Sequence, residues 1–165
     1  LRDRAAAPAP SARGKTFVLV ASAFYPSISR ALIAGATRTL RAAGASAAAI
    51  DVLWAPGCFE LPVLARRAAA RRPAPDAIIA LGALIRGQTA QYEVIANAAA
   101  QGLVQLSVAT GIPVTFGVIV AETPAQALAR AGLGKRPAGH RGEEAAAAAL
   151  NLLGQFARLP GSGRV

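Results

Sequence analysis

One cysteine among 165 residues, Cys58, cannot close an intrachain disulfide and cannot by itself build a thiolate metal cluster. A reducing, cytoplasmic compartment is the expectation. The one histidine, His140, leaves no His/Cys ligand set, so no structural or catalytic zinc site is expected. Aromatic residues make up 5% of the chain against 54% for all hydrophobic types, which leaves a core built from Ala, Val, Leu and Ile. No apolar run is long enough to span a bilayer, and a soluble protein follows. Acidic residues are also scarce, eight against 18 basic ones, for a formal net charge of +10. Such an excess ordinarily points to a polyanion. Here the basic residues fall in separate clusters, at Arg2, Arg4 and Arg13, at Arg66, Arg67, Arg71 and Arg72, and at Lys135, Arg136 and Arg141. Tyr25, Trp54 and Tyr92 are not interleaved among them, so no stacking platform for a single strand is visible. Solvated helix faces and an anion pocket account for the charge, and neither a nucleic-acid nor a membrane partner is expected.

The length suits one domain with a real core. Residues 1–14, LRDRAAAPAPSARG, are basic and rich in Ala and Pro without helical or strand period. They read as a flexible arm without the apolar core of a secretory signal. A single domain is expected over residues 15–160, with residues 161–165 a flexible tail.

Within that domain the chain alternates in type. KTFVLVA predicts a strand, and SISRALIAGATRTLRAAG predicts a helix capped by Ser27, with Ile28, Leu32, Ile33 and Leu40 at helical intervals. AAAIDVLW is strand-like, WAPGC a turn, and FELPVLARRAAARR a helix. DAIIALG predicts a third strand, followed by a long helix from about Thr89 to Thr110 that Gly111 and Pro113 stop. PVTFGVIV supplies a fourth strand. Thr123, Pro124 and Gln126 together predict a helix start with a capping box, and that helix ends at Gly132. The linker LGKRPAGHRG leads to a last helix, EEAAAAALNLLGQFARL, whose Glu143 and Glu144 suit a positive N-terminal end.

Repeated strand and helix units with near-continuously apolar strands predict a parallel four-stranded sheet covered on both faces, a doubly wound three-layer α/β sandwich. In such sheets ligands bind beyond the carboxyl ends of the strands. The segments expected there are 23–27, 54–60, 83–91 and 117–123. They carry Phe24, Trp54, Glu60, Arg86, Gln88, Thr89 and Gln91, with Phe116 immediately before the last of these segments. An aromatic face can stack on a flat heterocycle, a carboxylate can hold sugar-like hydroxyls, and the loop at Gln88 and Thr89 opens a helix whose free N–H groups favour phosphate. Ser22, Ser27 and Ser29 have no histidine near them in sequence, and the glycine pattern fits neither a dinucleotide fingerprint nor a Walker loop.

The segments AFYPSIS, WAPGCFELP, DAIIALGALIRGQT, PVTFGVIVAETPAQALARAG and GHRGEEAAAAAL, in this order and spacing, resemble the 6,7-dimethyl-8-ribityllumazine synthase family. The likeness runs from about Lys15 to Arg158, and PGCFELP and ALGALIRGQT are its most specific pieces. It implies a flavodoxin-like fold and the penultimate step of riboflavin biosynthesis. In that step 5-amino-6-(D-ribitylamino)uracil condenses with 3,4-dihydroxy-2-butanone 4-phosphate, without metal or organic cofactor. It implies that Phe24 stacks on the pyrimidinedione and that Gly57, Cys58, Phe59 and Glu60 hold the ribityl chain beside Ala83, Leu84 and Ile85. Gln88 and Thr89 would bind phosphate, with Phe116, Arg130 and Arg141 supplied by the neighbouring subunit of a pentamer. Where the family usually has a proton-donating histidine, RGQTAQYE places Gln91, which cannot transfer protons at ordinary pH. A slow enzyme is one expectation. A paralogue that binds a lumazine or flavin, or serves as a scaffold, is the alternative. The long linker with Pro137 predicts an isolated pentamer or decamer, not a sixty-subunit shell.

Overall fold

The computed structural model describes residues 10–134 and 138–159. Four strands, β1 (Phe17–Ser22), β2 (Ile50–Ala55), β3 (Ala77–Ile85) and β4 (Val114–Ala121), form one fully parallel sheet in the order β2-β1-β3-β4. The helices are α1 (Pro26–Ala42), α2 (Leu61–Ala69), α3 (Gln91–Thr110), α4 (Pro124–Arg130) and α5 (Arg141–Phe156). The strands β1 and β3 are central, and their near-continuous burial follows from having helices on both faces. Alternation divides their side chains between two cores: Phe17, Leu19, Ile79 and Leu81 face one way with α1 and α5, and Val18, Val20, Ile78 and Ala80 face the other way with α2 and α3.

Element types and order agree with the sequence reading, and several boundaries move. Helix α1 starts at Pro26, whose fixed φ suits the first turn, so Ser27 falls inside it and no side-chain cap forms. Strand β3 runs three residues past the expected Gly82, because the apolar run continues through Ala83, Leu84 and Ile85 and pairs with β4 as far as Ala121. Helix α2 stops at Ala69, leaving Arg71 and Arg72 beyond it. The capping box of α4 forms as predicted: Gln126 N–H donates to Thr123 Oγ1 at 3.3 Å, and Thr123 N–H donates to Gln126 Oε1 at 3.3 Å.

Part of the predicted arm is packed. Ala12 is fully buried, and its amide donates to the carbonyl of Ala43 at 2.9 Å. Residues 1–9, the tail from residue 160 onward, and Lys135, Arg136 and Pro137 lie outside the described residues. No helix among the described residues is long and apolar enough to cross a membrane.

Candidate active site

The strand order reverses direction between β1 and β3, since β2 lies to one side of β1 and β4 to the far side of β3. Loops leaving the carboxyl ends of such neighbours diverge and open a crevice. A cavity of about 450 Å³ lies there, a size that suits a small ligand. Its walls come from three chain segments: Phe24 and Tyr25 after β1, Pro56 to Glu60 after β2, and Ala83 to Ile85 with Gly87, Thr89, Gln91, Tyr92 and Ile95.

Each segment is held by local chemistry. Ala23 N–H donates to Ala55 O at 2.8 Å, which extends the β1–β2 ladder and sets Phe24 at the crevice mouth. Below it, the Ser29 hydroxyl donates to Ser22 O at 2.6 Å, and Phe24 N–H donates to Ser22 Oγ at 3.3 Å. Phe24 packs edge-to-face on Tyr25 at 5.0 Å yet stays 69% exposed, leaving aromatic surface for a ligand. Phe59, at 59%, is similarly free. Gly82 has no room for a side chain, because a Cβ there would sit 2.8 Å from Cys58 Sγ and 2.9 Å from Ser22 Cβ. That close approach seats the 57–60 loop on the sheet end.

Cys58 is buried, and its thiol donates weakly to Ala83 O at 3.6 Å. Burial pushes the thiol up to about 11, outweighing its hydrogen bonds, so it is a packing residue and not a nucleophile. Glu60 occupies the N-cap position of α2 without a cap hydrogen bond, and its carboxylate is available to the cavity it lines. Gln91 is the first residue of α3 and lines the cavity beside Thr89. The free N–H groups and positive end of α3 lie at that wall.

The structure thus brings together Phe24, Gly57, Cys58, Phe59, Glu60, Ala83, Leu84, Ile85, Thr89 and Gln91. Gln88 is exposed in the same loop but does not line the cavity. Trp54, expected at this edge, is still within β2 and lines a shallow depression with Val63 and Arg67. Phe116 is the third residue of β4 and not at its carboxyl end, because the strand extends to Ala121. Arg86 pairs with Glu122 at 2.8 Å and does not line the cavity. Tyr25, Tyr92 and Ile95 were missed by sequence reasoning. Ile95 lies four residues after Gln91 and three after Tyr92 on α3, so helical spacing from Gln91 could have found Ile95. Among the described residues no group of three or more His, Cys, Asp or Glu side chains is placed to hold a metal ion.

Arg130, Arg141 and Phe116 form a second cluster where α4, α5 and β4 meet. Glu144 accepts from Arg130 Nη2 at 2.6 Å and Nη1 at 3.1 Å, and from Arg141 Nη1 at 3.4 Å. Arg141 Nη2 donates to Phe116 O at 2.8 Å, and Arg130 Nη1 donates to Ala138 O. The hydrogen bonds from Arg130, then its charge and those of Arg141, hold the Glu144 carboxyl below its usual range against a desolvation cost. A carboxyl lowered on folding stabilises the fold above its unfolded pKa, and that contribution disappears as pH falls through the folded value. The groups are about a third exposed, so Glu144→Gln is expected to cost about 1 kcal/mol or less at pH 7. In urea unfolding at a series of pH values the two proteins should converge on the acid side. A constant gap across pH would show that the ion pairs contribute nothing.

A family model described as 6,7-dimethyl-8-ribityllumazine synthase matches residues 14–156. Relatives of that name from two strains of Thermus thermophilus are 38% identical over 153 residues, covering 93% of this chain and 95% of theirs. A third, from Desulfotalea psychrophila, is 40% identical over 141 residues, covering 86% of this chain and 88% of its own.

Proposed function

The chain belongs to the 6,7-dimethyl-8-ribityllumazine synthase family, and on that footing we propose how its pocket carries out the condensation. The reaction joins 5-amino-6-(D-ribitylamino)uracil to 3,4-dihydroxy-2-butanone 4-phosphate to give 6,7-dimethyl-8-ribityllumazine, the penultimate step of riboflavin biosynthesis. Phe24 stacks on the pyrimidinedione, and Glu60 with Gly57, Cys58 and Phe59 receives the ribityl hydroxyls beside Ala83, Leu84 and Ile85. The phosphate sits at the start of α3, against Thr89, with Gln88 exposed beside it in the same loop and outside the cavity wall. The observation that carries this reading is the convergence of an exposed aromatic, a carboxylate and a helix N-terminus on one crevice at the strand switch point.

In this site the amine of the pyrimidine attacks the ketone and loses water to form an imine. Loss of the proton on the adjacent carbon expels phosphate and leaves an enol that becomes a new ketone, and the ribitylamino nitrogen attacks that ketone and loses a second water to close the ring. Holding both reactants in register can supply about 7 to 11 kcal/mol of the barrier. Gln91 contributes a hydrogen-bonding amide and moves no proton.

Phe116, Arg130 and Arg141 do not line this chain's crevice, and we assign them to the crevice of an adjacent subunit in a pentamer or decamer. Two observations support a shared site. Arg130 and Arg141 are gathered into one basic cluster by Glu144. The face of α3 that bears Val94, Val104 and Val108, the last 81% exposed, exposes three large apolar side chains among Asn97, Gln101 and Gln105, a mixed surface that a partner subunit can cover. Lumazine formation from the two substrates, assayed across the fractions of a sedimentation run, tests the reading. Product should appear with a particle of five or ten chains. Product that travels with the monomer would remove the shared site, and no product in any fraction would remove the assignment of the crevice.

A further inference from the structure

The loop between β3 and α3 forms the polar wall of the crevice, and packing does little to hold it. Residues 86–90 are all exposed, and α3 opens with Ala90 at its N-cap position, where no side chain caps the helix. Inside the loop, Gln91 N–H reaches Thr89 Oγ1 only at 3.4 Å. A loop in this condition would have to be ordered whenever a ligand binds, at the expense of affinity.

One carboxylate outside the crevice restrains it. Glu122, the first residue after β4, accepts from Arg86 Nη1 at 2.8 Å through Oε2 and from the Tyr92 hydroxyl at 2.8 Å through Oε1. Arg86 is the first residue after β3 and Tyr92 the second residue of α3, so a single side chain ties down both ends of the loop. The Arg86 amide adds a bond to Ala121 O at 2.9 Å, and the Glu122 amide donates to Gln126 Oε1 at 2.8 Å, which joins the brace to the capping box of α4. Tyr92 is only 7% exposed and lines the crevice, while its hydroxyl is turned into the carboxylates. The hydroxyl also lies 2.9 Å from Glu93 Oε1. A phenol has one hydrogen, so Glu93 and Glu122 share it, and Arg86 is the cation that offsets the crowding of two carboxylates.

We propose that Tyr92 and Glu122 are positioning residues for the phosphate of the butanone substrate: bridged to Arg86, they fix the 86–91 loop in its ligand-binding shape before the ligand arrives. This rests on the reading that the loop at the start of α3 is the phosphate site. Arg86 and Glu122 are exposed on the surface, yet their arrangement matters to the ligand because preorganised donors need no reordering on binding.

The test is Tyr92→Phe, which keeps the ring in the crevice and removes only the hydroxyl, alongside Glu122→Gln. Each is expected to raise KM for the butanone phosphate about tenfold while KM for the pyrimidine and kcat stay within about threefold of native. The double variant should be no worse than the weaker single, because both break one brace. Calorimetric titration with inorganic phosphate reads the same loop without turnover and should show the same loss. Unchanged KM and unchanged phosphate affinity in Tyr92→Phe would overturn the brace. A lowered melting temperature with unchanged KM would reduce it to a structural contact, overturning the positioning role. A native chain that makes lumazine yet binds no phosphate at this loop would instead defeat the assignment of the phosphate site.

Discussion

Gln91→His is expected to raise kcat about a hundredfold at neutral pH, with both KM values little changed. A positioned acid/base group contributes about a hundredfold to ten-thousandfold, and the lower end suits an enzyme that already gains most from holding two reactants together. Position 91 is suited to the role, since it begins α3 and lines the crevice. The other groups that face the cavity are poor stand-ins near pH 7. Hydrogen bonding to Glu122, with burial and Glu93 behind it, pushes Tyr92 up to about 12, and burial takes Cys58 up to about 11. Glu60 is the one carboxylate lining the cavity among the described residues, and the ribityl chain occupies it in the proposed pose. The positive end of α3 disfavours an imidazolium, so a histidine there would be held towards its neutral form and exchange protons somewhat below the ordinary imidazole value of about 6.5. The pH profile of kcat should therefore gain a limb in the variant that the native profile lacks. A kcat within twofold of native, in a variant that still binds both substrates, would show that proton transfer does not limit turnover.

The parallel sheet was legible because β1 and β3 are apolar along nearly their whole length, Ser22 excepted, which a strand achieves only when both faces are covered. Thr123, Pro124 and Gln126 located the start of α4, since three independent preferences agree there. Ends set by pairing were less visible. Nothing in DAIIALGALI marks where the strand stops, because the run stays apolar through Ile85, and only the ladder to Ala121 decides it. Phe116 was set at the crevice edge although the expected strand PVTFGVIV itself continues four residues beyond it, and it is the third residue of β4.

In the candidate site, residues that line the crevice were readable from type and place, Phe24, Glu60 and Thr89 among them. Residues that act through others were not. The brace of Arg86, Tyr92 and Glu122 joins positions up to 36 apart in sequence, and each has an ordinary reading alone: a loop arginine, a core tyrosine and a surface glutamate. Gly82 is similar. Its need for glycine comes from Cys58 and Ser22, which the fold places over it from two other segments.

Gly142→Ala is expected to lower stability by about 3 kcal/mol or more. Gly142 is buried in the first turn of α5, where that helix crosses α1. A Cβ there would lie 2.9 Å from both the carbonyl carbon and the Cα of Leu32, and closer still to the carbonyl oxygen. Those are backbone atoms in the middle of α1, so no side chain can swing away to make room. The two helices would have to separate, taking with them Leu32, Ala36, Ala145 and Ala149 from the core they share. Arg141 and Glu144 flank the glycine on α5, so the same displacement would disturb the cluster that holds Arg130. Gly111→Ala provides the contrast. Gly111 ends α3 at φ 68° with nothing within 4 Å of an added methyl, so the change strains the backbone without a collision and is expected to cost about 1 kcal/mol. In urea unfolding the midpoint should fall by about 1 to 2 M for Gly142→Ala and by well under 1 M for Gly111→Ala. Equal shifts for the two would mean that close contact between α1 and α5 is not what requires glycine at 142.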